Sequence, residues 1–192
     1  MRYKVGHKEQ AREKVLEAAG KRLKESGLNG VGIDGLMAEA GLTSGAFYTH
    51  FTSKDQLFEE VMIRGLVHMK ERLLLRKEKA GSDWLYQYGA SYLTLEKCDD
   101  VGNGCVLPAL TTDASRASDS ARASYETHIQ DVVAICATGA VGETEEERRG
   151  NAWTFISIIV GTMTVARAMP PGPTVEALLH ASREHVRAIS LS

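Results

Sequence analysis

The stretch Ile33 to Lys54 constrains this chain more than any other. It reads Ile-Asp-Gly-Leu-Met-Ala-Glu-Ala-Gly-Leu-Thr-Ser-Gly-Ala-Phe-Tyr-Thr-His-Phe-Thr-Ser-Lys. A short segment of helical periodicity, with Leu36, Met37 and Ala40 on one face, stops at Gly41. One leucine later a Thr-Ser pair opens a second short segment, rich in aromatics, that a lysine closes. Two short helices joined by a tight glycine turn form a helix-turn-helix. Gly41 suits the left-handed position that ends a helix, where a side chain would clash. Thr43 is suited to cap the second helix by accepting a backbone N–H. Leu36, Met37 and Ala40 can then pack against Leu42, Phe47 and Phe51, leaving Ser44, Ala46, Tyr48, Thr49 and His50 for the outer faces.

The remaining sequence reads as helices only. With 192 residues, 43% of them hydrophobic, and only 4 prolines, the chain can bury a core without strands. Lys8–Glu25 repeats Ala11, Val15, Ala18, Ala19 and Leu23 at helical spacing. Ser53 is placed to cap a long helix from Lys54 to about Ala80. Ser82 or Asp83 caps the next, which runs to about Cys98. The segment 105–117 contains Pro108, and two arrangements suit it. Either Asn103 caps a helix that Pro108 kinks, or Leu107 caps and Pro108 takes the first helical position. Helices follow over 119–138, 144–169 and 174–189, the last with Val175, Leu178, Leu179, Val186 and Ile189 on one face. The expected architecture is all-α, a three-helix head over 1–53 and a body of roughly six helices over 54–192.

Charge is distributed unevenly. Residues 1–54 hold 9 Lys+Arg against 6 Asp+Glu, whereas the remainder holds 14 against 19. A basic head on an acidic body suits phosphate contact at one end. Arg2 and Lys4 make the N-terminal arm, Met1 to Gly6, basic. Cys98, Cys105 and Cys136 form no C-x-x-C pair, which fits a reducing, cytoplasmic setting. The N-terminus has no apolar segment of the signal-peptide kind. The most apolar run, Trp153 to Met169, is short for a membrane span and is interrupted by hydroxyl residues and Arg167.

The sequence offers no catalytic constellation. Gly30-Val31-Gly32-Ile33-Asp34-Gly35 reads G-x-G-x-x-G, but it follows a helix and not a strand, so it is turn chemistry. His180 and His185 are five apart and no H-E-x-x-H occurs, so neither a metal nor another cofactor is expected. Trp84, Tyr88, Tyr92, Tyr125, Trp153 and Phe155 are either core or the lining of a ligand cavity.

The residues Ala40-Gly41-Leu42-Thr43, Gly45, Phe47-Tyr48, His50-Phe51, Ser53-Lys54 and Leu57-Phe58 resemble the DNA-binding signature of the TetR/AcrR (tetracycline-repressor-like) family. Gly32 and Gly35 depart from it, standing where a hydroxyl cap and a polar residue are usual. The resemblance implies a one-component transcriptional regulator, most simply a repressor, that binds a near-palindromic DNA operator as a homodimer and leaves it when a small-molecule effector binds the body. It implies DNA contact by Thr43, Ser44, Gly45, Ala46, Tyr48, Thr49, His50 and Lys54, with Ser44, Ala46 and Thr49 toward the major groove and Tyr48 and Lys54 on phosphates. It also implies a dimer interface on the last two helices, which include Ile158 and Leu179. The rival reading is a small helical enzyme or carrier whose head serves protein contacts; it requires the catalytic constellation that the sequence lacks.

Gly104-Cys105-Val106-Leu107 resembles a Gly-Cys-Leu stretch in the branch of the family that includes the N-ethylmaleimide-reductase repressor. Two roles for Cys105 follow. Near a helix start its thiolate is favoured, as a sensor of electrophiles or oxidants requires. Alternatively it packs as a small hydrophobe.

Overall fold

The computed structural model describes residues 5–191, and these form helices and connecting turns with no strand. In chain order the helices are α1 (Val5–Ser26), α2 (Ile33–Glu39), α3 (Phe47–His50), α4 (Lys54–Ala80), α5 (Trp84–Tyr92), α6 (Leu95–Asp99), α7 (Val106–Ala114), α8 (Asp119–Ala137), α9 (Glu145–Arg167) and α10 (Pro173–Ser190). Short 3₁₀ turns at Ser44–Ala46 and Gly81–Asp83 lead into α3 and α5. The expected basic arm with Arg2 and Lys4 lies outside the described residues. Packing groups the chain into two compact units: residues through Gly65 with Val101–Tyr125, and Leu66–Asp100 with the residues from Glu126 onward. The division into 1–53 and 54–192 concerns function and is carried to the proposal below.

The first unit is built on α1, whose Val15, Leu16, Ala19 and Leu23 are buried. Partly exposed ion pairs join it to its neighbours: Arg22 with Glu39 of α2 at 3.1 Å, and Arg12 and Glu13 with Glu60 and Arg64 of α4. Each adds little by itself, but all three hold α1 in one register. Leu36, Met37, Phe47 and Phe51 are almost wholly buried and form the core of the helix-turn-helix. Burying each phenylalanine contributes roughly 1.5–3 kcal/mol.

The second unit packs α5, α6, α9 and α10 around Leu85, Leu93, Phe155, Met163 and Val186. At Gly89 the α5 backbone packs directly on the side chains of Val186 and Phe155, since a Cβ there would lie 2.7 Å from Val186 Cγ1 and 3.0 Å from Phe155 Cε2. The helix expected to run to Cys98 is two helices. α5 ends at Tyr92, and Thr94, extended at φ −134°, caps α6 by accepting the Lys97 N–H. Arg183 donates to Leu93 O, freed at this break, at 2.7 Å, and Arg167 donates to carbonyls in the last turn of α6, Lys97 O at 3.2 Å and Cys98 O at 3.3 Å. Asp83, at the N-cap of α5, makes no capping hydrogen bond; Ser82 Oγ donates to the Asp83 carboxylate at 2.8 Å instead. At the start of α9 the reciprocal pair of Thr144 and Glu147 forms a full capping box.

Segment 105–117 follows neither of its two expected arrangements. Cys105 occupies the N-cap position and α7 begins at Val106, so Pro108 is the third helical residue. Its missing N–H would have had no intrahelical partner in that first turn, and the helix is not broken.

Candidate nucleic-acid interface

The turn between α2 and α3 is closed by backbone hydrogen bonds around one glycine. Gly41 has φ +70°, its N–H donates to Ala38 O at 3.0 Å, and the Leu42 N–H reaches back to Met37 O at 2.8 Å. This is a Schellman motif, and the left-handed conformation favours glycine at that position. Thr43 stands at the N-cap of the following 3₁₀ turn with extended backbone, but its side chain makes no capping hydrogen bond. The sequence expectation for its hydroxyl is thereby corrected: the exposed Oγ1 is not spent inside the turn.

Phe47 and Phe51 anchor α3, with ring centroids 5.5 Å apart, and Arg12 lies over the Phe51 ring at 5.1 Å. With those rings inward, Thr43, Ser44, Gly45, Tyr48 and Thr49 are exposed on the other side, while Ala46 and His50 are half-buried. Tyr48 is 68% exposed, and its ring meets Phe47 edge-on at 5.2 Å. An apolar core would bury such a ring; here the tyrosine projects from a surface otherwise made of small polar residues.

His50 differs from the others. Its Nδ1 is buried, with no hydrogen-bond partner among the described residues. Burial first, then the positive charges of Lys8 and Arg12, hold the imidazole below its ordinary pKa, with Glu9 opposing. Both effects favour the neutral imidazole over its charged form.

Lys54 opens α4 behind a well-formed cap. Ser53 Oγ accepts the Gln56 N–H at 3.0 Å, and Gln56 Oε1 accepts the Thr52 N–H at 2.6 Å. The half-buried Lys54 thus stands in the first turn of a 27-residue helix, where backbone N–H groups and the dipole favour an anion.

The three cysteines separate by burial. Cys98 and Cys136 are buried, and desolvation raises both thiols, Cys136 to about 12. Cys105 is half-buried at the N-cap of α7. Its neighbour Tyr125 is held above the ordinary phenol pKa by burial, opposed by the Thr111 hydroxyl at 3.5 Å and reinforced by Cys105.

Of the aromatics that suggested a ligand cavity, Trp84 and Phe155 are core and Trp153 is 40% exposed. Tyr88 and Tyr92 line a cavity of about 400 Å³ in the second unit, together with Arg72, Arg76 and Lys79 of α4. Those cations were passed over in the sequence; their signal was the recurrence of basic residues at i, i+4 and i+7 beside a buried stripe. Ile158 is half-buried, but Leu179 is only 2% exposed within its own chain. The face of α10 that carries Leu179 is thus covered by its own subunit.

This geometry is that of a helix-turn-helix in a chain otherwise built of helices. Residues 15–61 match the family model described as bacterial regulatory proteins, tetR family. Known structures share the fold over almost the whole length. A TetR-family transcriptional regulator from Cytophaga hutchinsonii superposes with a TM-score of 0.79 at 17% identity, covering 98% of this chain and 99% of that one. NemR of E. coli, solved in its reduced form, gives 0.77 at 20% identity over 93% and 96%. FadR of Bacillus subtilis, solved in complex with stearoyl-CoA, gives 0.68 at 16% identity over 91% and 96%. A comparison with curated protein sequences found no significant match.

Proposed function

We propose that this chain is a one-component repressor. As a homodimer it binds a near-palindromic operator, and it releases the operator when a small molecule or an electrophile engages the body. The observation that carries this reading is the outer face of α3 and its preceding turn. Thr43, Ser44, Gly45, Tyr48 and Thr49 are exposed together, on a helix held by fully buried phenylalanines. Small residues let the backbone approach base edges, Thr49 can meet a thymine methyl, and Tyr48 and Lys54 reach phosphates. The head is residues 1–53 and the responding body 54–192, working in the cytoplasm where the DNA is.

Two relatives support a responsive body: one is known with stearoyl-CoA bound and another in a reduced form. Within this chain, Cys105 is the half-buried thiol on which an electrophile would act. An effector shifts the balance only through different affinity for the bound and released states. The test is a gel shift with DNA upstream of the chain's own gene. A sequence-selective complex at physiological salt is expected; affinity equal to that for unrelated DNA rejects the reading.

A further inference from the structure

The cavity of about 400 Å³ in the second unit is strongly cationic. Four cations line it, Arg72, Arg76 and Lys79 from α4 and Lys97 from α6, and no carboxylate does. Lys97 has a loose ion pair with the highly exposed Glu96 at 3.6 Å, whereas Arg72, Arg76 and Lys79 enter no ion pair among the described residues. Elsewhere on the same helix Arg64 and Lys70 are paired with carboxylates. Like charges at i, i+4 repel along a helix, so this face gains when an anion neutralises it. Tyr88 and Tyr92 of α5 and Leu75 of α4 also line it. The volume lies within the range of small-molecule sites.

We propose that this cavity binds a polyanionic small molecule that also carries an aromatic or apolar group, phosphate esters above all. A single carboxylate would leave most of the positive charge uncompensated. A phosphate or diphosphate group carries two or more charges and offers the oxygen edges that guanidinium forks grip bidentately. The tyrosine rings and Leu75 then cover the apolar part. A concave site of this size favours a small ligand over a duplex or a membrane surface. That such a ligand acts as the effector rests on the regulator reading above; the binding itself does not.

The experiment is isothermal titration of the full chain at physiological salt with 1-naphthyl phosphate and with ADP, against neutral 1-naphthol. At least one phosphate ester should bind below about 1 mM, and 1-naphthol at least tenfold more weakly. Arg72→Ala with Arg76→Ala should weaken binding tenfold or more, and the double lysine variant should retain an intermediate affinity. Arg72 is exposed and Arg76 half-buried, so folding is kept and circular dichroism checks it. Failure of both esters to bind overturns the proposal, as does undiminished binding by the alanine double variant. Binding of duplex DNA or anionic vesicles through these arginines, with no ester bound, also overturns it. Operator release is measured separately. An ester that binds without releasing DNA leaves the site intact and removes only its role as effector.

Discussion

Lys24 of α1 donates from Nζ to the carbonyl of Gly104, 3.0 Å away, the residue immediately before Cys105. At the far end of α7, Asp113 Oδ2 accepts the Leu28 N–H at 3.2 Å, just beyond α1. α1 and the turn that follows it therefore hold both ends of α7. Lys24→Met removes a charge-assisted hydrogen bond at a half-buried site and should cost about 1 kcal/mol. Urea unfolding measures it; an unchanged midpoint and slope would mean that water replaces the lysine without loss.

The same relationship makes Cys105 a testable trigger. An adduct on its sulfur enlarges the residue at the start of α7, beside the carbonyl that Lys24 holds. Burial raises the thiols of Cys98 and Cys136 and protects them, so mass spectrometry after brief alkylation should find Cys105 modified first. Operator release should follow in the wild type and not in Cys105→Ser. Equal release in both, or a fully modified wild type that stays bound, assigns Cys105 to packing.

Local chemistry was readable from the sequence and long-range polar contact was not. Gly41, the Ser53 cap, and the buried Ile129, Val132, Val133 and Cys136 of α8 were all visible as spacing or turn signals. The break between α5 and α6 was not. It follows a Thr cap without an acidic third residue, and Arg183, distant in sequence, takes up the Leu93 carbonyl it frees. The cations of the cavity were unread for a similar reason. Arg72, Arg76 and Lys79 look like an ordinary solvated face until the tyrosines of α5 line the same cavity. Thr43 shows the reverse: its position was right and its hydrogen bond was not, because residue type selects a cap position without obliging the side chain to bond.

In the head, Tyr48→Phe and Lys54→Ala should weaken operator binding by a similar factor across operator sequences and lower its salt dependence, because each removes a proposed phosphate contact. Stability should barely change for Tyr48, whose ring is 68% exposed. Thr49→Ala should instead alter base preference. Anisotropy titrations over a range of salt distinguish these; full affinity in both Tyr48→Phe and Lys54→Ala would move the phosphate contacts to other residues.

His50 predicts a pH effect on stability with a definite sign. Its folded pKa lies below the ordinary histidine value of 6.5, through burial first and then Lys8 and Arg12. Above pH 6.5 both folded and unfolded forms are neutral and the group contributes no slope. As pH falls below 6.5 the unfolded chain takes up the proton first, so stability declines until the folded pKa is passed. His50→Gln should flatten the unfolding free energy across that interval relative to wild type. Identical pH profiles would show that the imidazole is not held neutral.

The dimer proposal is testable because buried and exposed apolar residues of the last two helices can be separated. On α9, Trp153 is 40% and Val165 52% exposed, with Ser157, Gly161 and Thr164 exposed on the same helix and Ile158 half-buried. Large apolar groups beside small ones are suited to close approach by a second helix pair. On α10, Val175, Leu179 and Val186 are spent inside the subunit, and Thr162 of α9 shares a 2.7 Å hydrogen bond with Ser182. A charge at an exposed position should therefore act on association, and a charge at a buried one on folding. Val165→Glu should yield a folded monomer in sedimentation with wild-type helicity, as should Trp153→Glu. Both should lose operator affinity, because two heads must be held about 34–36 Å apart to meet successive major grooves. Ile158→Glu should do both in part. Leu179→Glu should unfold the subunit, since it places an unpaired charge in the core. A Val165→Glu protein that remains dimeric and binds the full operator would put the interface elsewhere; a folded, monomeric Leu179→Glu would show that its face of α10 is covered by a partner after all.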